Sequence, residues 1–177
     1  MCNLMKMILV NNNLCVAETQ VTQGLFEEVM GWNPTRKVSP FSRPTPHRCV
    51  KDVSWLEAVL FCNKLSELEG LQQAYFIDPF TEEVWGIEGA NGYRLPTEAE
   101  AKVLVGNTFG GLLTEMLVDV NYHSLNSLGL KGVNGGWEWT SSNGRYDGTK
   151  TVYSGDRTLA WDFYASPAVT FRVVRSR

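Results

Sequence analysis

The stretch that decides the fold is Gly135-Gly136-Trp137-Glu138-Trp139-Thr140-Ser141-Ser142, an aromatic run in which apolar and polar side chains alternate. Because successive side chains of a strand point to opposite faces, Trp137 and Trp139 are predicted to enter the core together, with Glu138 on the other face. We therefore predict a central strand, followed by a functional tract over residues 145–167. The alternative is that the two tryptophans only fill the core.

The chain of 177 residues is long enough for one domain that buries a core without disulfides or metals. A formal net charge of -3 and a pI near 5.4 provide no basic field, so the composition predicts no nucleic-acid binding. No apolar run is as long as a membrane span. Asn11-Asn12-Asn13 interrupts the apolar N-terminal piece, so we predict no signal peptide. The compartment stays open between the cell surface or exterior and the cytoplasm.

The number and spacing of the cysteines do not favour a metal centre. The cysteines are Cys2, Cys15, Cys49 and Cys62, with no C-x-x-C pair and none after Cys62. This spacing is unlike that of a zinc site, and two histidines in the whole chain are too few for a histidine-rich centre. We predict no metal and no cofactor.

Three helices are predicted from their terminal signals. Thr22 is a plausible N-cap for the first, and capping boxes at Ser54-Trp55-Leu56-Glu57 and Thr97-Glu98-Ala99-Glu100 begin the other two. Glycines end them at Gly31, Gly70 and Gly106. The second helix is predicted to be mostly buried, with Leu60 on its apolar arc.

The remaining segments are read as short strands and loops. Strand character occurs in residues 8–17, where the asparagines interrupt it, and in residues 71–77, and residues 80–91 are predicted to form a mixed hairpin or excursion. Four prolines predict a loop over residues 33–47, and residues 107–130 are irregular apart from an apolar piece at 112–120. No linker long enough to separate two domains is visible, so we predict a single domain over residues 1–177.

Five blocks in this chain occur in the order typical of one known family. They are residues 18–26, 52–58, 91–100, 137–140 and 171–174, and the most specific is Gly92-Tyr93-Arg94-Leu95-Pro96-Thr97-Glu98-Ala99-Glu100. Together they resemble the formylglycine-generating-enzyme (sulfatase-modifying-factor) family. The resemblance implies an α+β, C-type lectin fold of the formylglycine-generating-enzyme type, with two main helices, small antiparallel sheets and much irregular loop.

The chain departs from this family where the family's chemistry takes place. The resemblance implies a copper-holding cysteine pair in the C-terminal part, but no cysteine follows Cys62. The related sulfoxide synthases depend on histidines supplied largely by another domain, which this sequence lacks. We therefore predict a non-enzymatic protein without catalytic residues, and keep a formylglycine-generating-type oxidase or a pseudoenzyme as the alternative.

The family's calcium loop is also altered. Before the Trp-Glu-Trp strand this chain reads Leu130-Lys131-Gly132-Val133-Asn134-Gly135-Gly136, one residue shorter than the family pattern. Glu138 stands at the position of a family ligand, but the oxygen ligand that would join it is missing, and calcium needs several oxygens. The hypothesis is that calcium is absent and that Lys131 compensates the charge of Glu138.

The C-terminal tract combines amphipathic aromatics with small polar residues, a composition typical of binding surfaces. In this respect the chain most resembles the variable proteins of diversity-generating retroelements, in which adenine-directed mutagenesis rewrites a C-terminal repeat. The predicted variable region spans about residues 140–167. Its predicted ligand-binding residues are Asn143, Arg145, Tyr146, Asp147, Tyr153, Ser154, Asp156, Arg157, Asp162, Phe163 and Tyr164. The predicted scaffold residues are Trp137, Trp139, Trp161 and Arg172.

The function predicted from these residues is binding of a protein or cell-surface ligand through diversified residues on a lectin-type scaffold. It requires the members of one subset to share an exposed face: Tyr146, Asp156, Arg157, Phe163 and Tyr164. The competing interpretation is that they are ordinary loop residues with half-buried aromatics. A pseudoenzyme that binds the family's peptide substrate is a further alternative.

Overall fold

The computed structural model describes residues 4–35, 45–106, 119–133, 135–154, 156–162 and 164–177, without the side chains of residues 156–159. Most of the predicted loop at 33–47 and of the apolar piece at 112–120 lies outside these ranges.

Three α-helices form where the terminal signals predict them. Thr22 caps the first, since its hydroxyl oxygen accepts a hydrogen bond from the Leu25 amide at 3.2 Å, and Gly31 ends it with a left-handed φ of 84°. Both predicted capping boxes are present, which confirms the starts of the other two helices. The helices are α1 (Gln23–Met30), α2 (Trp55–Leu68) and α3 (Glu98–Val105).

Nine strands in the described part of the chain form three small sheets. They are β1 (Met7–Asn11), β2 (Leu14–Ala17), β3 (Tyr75–Ile77), β4 (Val84–Gly86), β5 (Trp137–Asn143), β6 (Thr149–Ser154), β7 (Asp156–Trp161), β8 (Val169–Thr170) and β9 (Val174–Ser176). The sheet orders are β1-β2-β9, β3-β4 and β7-β6-β5-β8. Every pairing of these strands is antiparallel except that of β5 with β8. Residues 8–17, predicted as one interrupted strand, form the β1–β2 hairpin. Residues 80–91, predicted as a mixed hairpin or excursion, contribute β4, which pairs with β3 from the predicted strand at 71–77.

Aromatic side chains from distant parts of the sequence meet in the core. Phe26 and Phe61 stack with ring centroids 5.5 Å apart, and Phe171 packs edge-on against Phe61 at 5.3 Å. These contacts join α1 and α2 to the segment that follows β8. Such aromatic pairs stabilise the fold beyond the area that they bury.

Two indole hydrogen bonds fix β5 to the start of α2. Trp139 is fully buried, and its Nε1–H donates to the Val53 carbonyl oxygen at 2.9 Å. Trp55 donates in the opposite direction, from its Nε1–H to the Thr140 carbonyl oxygen at 2.9 Å. The N-terminal end of α2 is therefore held against the strand from which the C-terminal tract begins.

Two expectations about burial are corrected. Trp137 is only partly buried, because the strand bearing it lies at the edge of an apolar groove. Leu60 is 37% exposed, because α2 turns this side chain to the outside while its neighbours Val59 and Phe61 face the core.

Candidate ligand-binding site

A cleft of about 960 Å³ opens between three parts of the fold. Its walls are the tip of the β3–β4 hairpin, the N-terminal end of α2 and the turn that joins β5 to β6. Five of the eleven predicted ligand-binding residues line it: Asn143, Arg145, Tyr146, Asp147 and Asp162. The structure thus brings together residues that the sequence only placed in one tract.

The β5–β6 turn is held by its backbone and by two small residues. The Gly144 amide donates to the Thr149 carbonyl oxygen at 2.8 Å, and the Thr149 hydroxyl donates to the Tyr146 carbonyl oxygen at 2.6 Å. Gly148 takes a left-handed φ of 72°, which glycine adopts without strain. This arrangement leaves the Tyr146 side chain 61% exposed at the mouth of the cleft.

Lys150 forms part of the cleft wall, although the sequence reasoning missed it. Its Nζ lies 3.9 Å from the centroid of the Trp55 ring and donates to Asn143 Oδ1 at 2.6 Å. Burial lowers the pKa of Lys150, and the nearby Asp162 carboxylate acts in the opposite direction. Lys150, Trp55 and Asn143 also line a second cleft of about 520 Å³, so the two clefts adjoin.

Two carboxylate residues of the cleft have a strained backbone. Asp52 and Glu82 have φ values of 57° and 59°, and within the described ranges no other non-glycine residue has a positive φ. Such conformations cluster at functional sites, because the surrounding fold must impose them. Burial raises the pKa of Asp52, with Lys51 opposing the shift. Neither residue was predicted, and no local sequence signal marks them.

The hairpin adds an exposed aromatic surface to the cleft. Trp85 is 48% exposed and stacks on Phe76 with ring centroids 5.7 Å apart. Glu82 and Glu83 precede it at the hairpin tip and line the same cleft. In the sequence, the position of Trp85 beside a turn was the only signal that could have indicated this wall of the cleft.

The other predicted residues, apart from Tyr164, divide into three groups. Tyr153 is buried, with 8% of its surface exposed, because α3 covers that face of β6 and packs Ala101 and Val105 against the ring. The expectation of an accessible Tyr153 is therefore corrected. Ser154 is partly buried at the end of β6. The Asp156 and Arg157 side chains and the whole of Phe163 lie outside the described part.

A smaller groove of about 370 Å³ lies beside β7. Tyr164 and Trp161 line it and are 44% and 50% exposed, and Trp137 contributes a partly buried wall. Tyr164 is accessible and lines this groove, whereas Tyr146 lines the large cleft. A single exposed face shared by the whole predicted subset therefore stays a prediction. Trp161, predicted as a residue of the fixed scaffold, packs one side of its ring over Gly148, while half of the side chain meets solvent.

Arg172 neutralises Glu138 in the interior of the fold. The Arg172 Nε and Nη2 atoms each lie 3.2 Å from a Glu138 carboxylate oxygen, and Arg172 is fully buried. The remaining N–H groups donate to the carbonyl oxygens of Ala17, Glu18 and Lys131 at 2.7 to 2.9 Å. All five donors of the guanidinium are therefore used.

This arrangement corrects the proposed role of Lys131. Its side-chain Nζ donates to the Asn121 carbonyl oxygen at 3.3 Å, and Arg172 supplies the positive charge that Glu138 needs. Both carboxylate oxygens of Glu138 are thereby engaged. The residues do not fit a calcium ion at this position, since a cation with two charges would have to compete with the buried guanidinium.

Cys49 and Cys62 likewise do not fit a copper site. Cys49 and Cys62 are buried, and burial raises the pKa of the Cys49 thiol to about 11 and that of Cys62 further still. Thiols with such pKa values are protonated at neutral pH, whereas a soft metal needs thiolates. Within the described residues, no group of three or more His, Cys, Asp or Glu side chains is arranged to hold a metal.

The described helices include none with the length and apolar character needed to cross a membrane.

The architecture and the open cleft define a C-type-lectin-type α+β domain of the formylglycine-generating-enzyme kind. Residues 5–116 match the sulfatase-modifying factor enzyme 1-like domain of the FGE-sulfatase family. The chain belongs to this family. It is also 31% identical over 158 residues to chaperone protein LppX of Paenibacillus barcinonensis, a match that covers 77% of this chain. The match covers 53% of that protein, so the chain spans about half the length of this relative.

Three solved structures share the fold. Treponema denticola variable protein 1 superposes with a TM-score of 0.78 at 20% identity, covering 93% of this chain and 84% of that one. CarF gives a TM-score of 0.74 at 21% identity, with coverages of 93% and 86%. PvdO from Pseudomonas aeruginosa gives 0.65 at 14% identity, with coverages of 93% and 80%. The predicted fold is confirmed by these likenesses.

Proposed function

We propose that this protein is a non-enzymatic ligand-binding protein, a variable protein of a diversity-generating retroelement that binds a protein or surface ligand through its C-terminal tract. The observation that carries the proposal is the convergence of Asn143, Arg145, Tyr146, Asp147 and Asp162 on one open cleft. The likeness in fold to a protein named as a variable protein supports it.

The separation of the cleft from the buried frame also supports the proposal. Tyr146 is exposed, and the turn that carries it is held by backbone groups, Thr149 and Gly148. Substitutions at Tyr146 and its neighbours therefore leave the determinants of the turn in place. A surface of this kind tolerates replacement of its contact residues while the fold persists.

The state of the cysteines supports the absence of oxidase chemistry. A thiol acts as a nucleophile or soft ligand only as its thiolate, and burial disfavours the thiolate of Cys49 and of Cys62. Cys15 is partly exposed but lies on β2, and the residues that line the cleft include no cysteine.

The proposal is tested by sequencing the DNA that flanks the gene. We expect a near-copy of the segment encoding the C-terminal tract, next to a reverse transcriptase, with differences confined to adenines. Those differences should fall on codons of cleft residues such as Arg145 and Asp147 and spare the codons of Trp139 and Arg172. Absence of such a copy, or differences concentrated in codons of buried residues, would contradict the proposal.

A second candidate is a protein-binding helper without diversification, favoured by the 31% identity to a relative named as a chaperone protein. Both candidates predict protein binding at the cleft, but only the first predicts the repeat in the DNA.

A pull-down with a sulfatase-type cysteine peptide tests the pseudoenzyme alternative. A pseudoenzyme should bind this peptide, whereas a diversified receptor should give no signal.

A further inference from the structure

The large cleft has a charge imbalance that the chain as a whole does not have. Among the described residues six carboxylates line it, against the two cations Arg145 and Lys150, which leaves these residues with an excess of four negative charges. The whole chain of 177 residues carries only -3. The carboxylates are those of Asp52, Glu57, Glu82, Glu83, Asp147 and Asp162. The rest of the sequence therefore sums to about +1, so the described lining of the cleft is more acidic than the chain as a whole.

Most of this negative charge comes from outside the predicted variable region. Asp52 and Glu57 lie at the start of α2, and Glu82 and Glu83 lie at the hairpin tip. Glu57 already accepts a hydrogen bond from the Ser54 amide as a helix cap, but the two hairpin glutamates are exposed. The acidity of the cleft is thus a fixed property that diversification of residues 140–167 does not remove.

Aromatic side chains stand on different walls of the same cleft. Trp85 on the hairpin and Tyr146 on the β5–β6 turn are 48% and 61% exposed. The face of an aromatic ring attracts ammonium and guanidinium groups, and carboxylates nearby strengthen that attraction. The combination favours cationic ligands over anionic or neutral ones.

The protein itself shows how the cleft holds such a group. The Lys150 ammonium lies on the Trp55 ring at 3.9 Å, donates to Asn143 at 2.6 Å and interacts electrostatically with Asp162. These are the contacts that a lysine of a partner would make. Lys150 therefore occupies one cation-binding position in the cleft, and its positive charge also repels a cation of the ligand.

We propose that the cleft binds a basic segment of a partner protein, with lysine or arginine side chains seated among the hairpin glutamates, Asp147 and the exposed rings. This inference rests on the proposed ligand-binding function and names the chemistry of its ligand. The adjoining clefts of about 960 and 520 Å³ share Trp55, Trp85 and Lys150. The acidic groups on two walls of the large cleft match a segment that carries several cations rather than a single cation.

The test uses titration calorimetry of the full chain with capped peptides at low salt. Hexalysine and hexaarginine are expected to bind, with an affinity that falls as salt is added, and hexaglutamate is expected to show no binding. Spermidine serves as the small-cation arm and is expected to bind more weakly than hexalysine. Equal binding of spermidine, or any comparable binding of hexaglutamate, overturns the proposal.

Charge variants locate the site. Glu82→Gln and Glu83→Gln are each expected to weaken hexalysine binding about two- to five-fold, while Glu67→Gln, an equally exposed change on α2 away from the cleft, leaves it unchanged. Equal losses from Glu67→Gln and Glu82→Gln would show that only net charge matters and would overturn the proposal.

Lys150 gives a test of opposite sign. Lys150→Met is expected to strengthen hexalysine binding about two- to five-fold, because it frees the Trp55 face and removes a like charge. Lys64→Met, on the exposed side of α2, is the matched control and is expected to have a smaller effect. If Lys150→Met unfolds the chain, Lys150→Gln replaces it. Unchanged or weaker binding of hexalysine to the Lys150 variant contradicts the proposal. The DNA repeat tests the proposed ligand-binding function independently of this result.

Discussion

Two polar clusters at the two ends of β5 differ in how their charges are balanced. Around Arg172 every guanidinium N–H has an acceptor, and both members of the pair with Glu138 are buried. At the cleft, carboxylates outnumber cations and the aromatic rings face solvent. The first arrangement specifies one geometry and tolerates little change, while the second leaves interaction capacity for another molecule. The comparison predicts where substitutions harm the fold and where they do not.

The largest effect is expected at the buried pair. Arg172→Met leaves the Glu138 carboxylate and three backbone carbonyls without their donor, which should cost about 3–5 kcal/mol in the free energy of unfolding. Urea denaturation followed by tryptophan fluorescence measures this loss. The double variant Arg172→Met/Glu138→Leu should recover part of it, because no charge is then left buried and unpaired. A loss below about 1 kcal/mol for the single variant would remove the distinction between the two clusters.

The N-terminal caps of α2 and α3 should contribute equally to the free energy of unfolding. Thr97→Ala removes the acceptor for the Glu100 amide, and Ser54→Ala does the same for the Glu57 amide at the cleft end of α2. Each should cost about 1 kcal/mol of unfolding free energy. Ser124→Ala, at an exposed position, is the control and should have no measurable effect. A negligible cost at Ser54 alone would mean that the cleft end of α2 is not part of the stable frame.

Glu100 gives the frame a pH dependence. Burial raises the pKa of this carboxyl, but the Arg94 guanidinium, with two contacts of 2.7 Å, and the Thr97 amide hold it below the ordinary value of 4.5. The stabilisation is fully present above pH 4.5 and is lost as the pH falls through the lower folded pKa. Glu100→Gln should flatten the fall in stability in that acidic window, measured by denaturation at several pH values. An unchanged pH profile would contradict this role.

Local signals in the sequence were sufficient for the helices. The capping boxes at Ser54 and Thr97 depend on side chains three residues apart, so they can be read without knowing the tertiary fold. The alternation of the Trp137–Thr140 stretch likewise identified β5 and the deep burial of Trp139. The identity of the family came from five such blocks in the right order.

Long-range pairing explains what the sequence did not predict. Arg172 reaches Glu138 because β8 runs parallel to β5 and sets Thr170 opposite Glu138. Lys131 is nearer in sequence and was the natural candidate, yet it points elsewhere. Tyr153 was predicted to bind ligand from the composition of its tract, but α3 covers its face of β6 while Val152 enters the main core, so both faces are buried.

The candidate site was predicted only in its C-terminal part. Residues 143–147 share one turn, which makes their proximity visible in the sequence. The walls supplied by Asp52, the hairpin tip and Lys150 come together only through the tertiary fold. Their chemistry, an acidic groove with exposed rings, was therefore beyond what spacing could indicate.

The most direct test of the account is the stability of a chain whose turn residues are replaced together. The variant Asn143→Ala/Arg145→Ala/Tyr146→Ala/Asp147→Ala keeps Gly144, Gly148 and Thr149, which hold the turn. Its free energy of unfolding, measured in urea, is predicted to lie within about 1 kcal/mol of the parent. A loss of about 3 kcal/mol or more, as expected for Arg172→Met, would show that these side chains belong to the frame and would contradict the account.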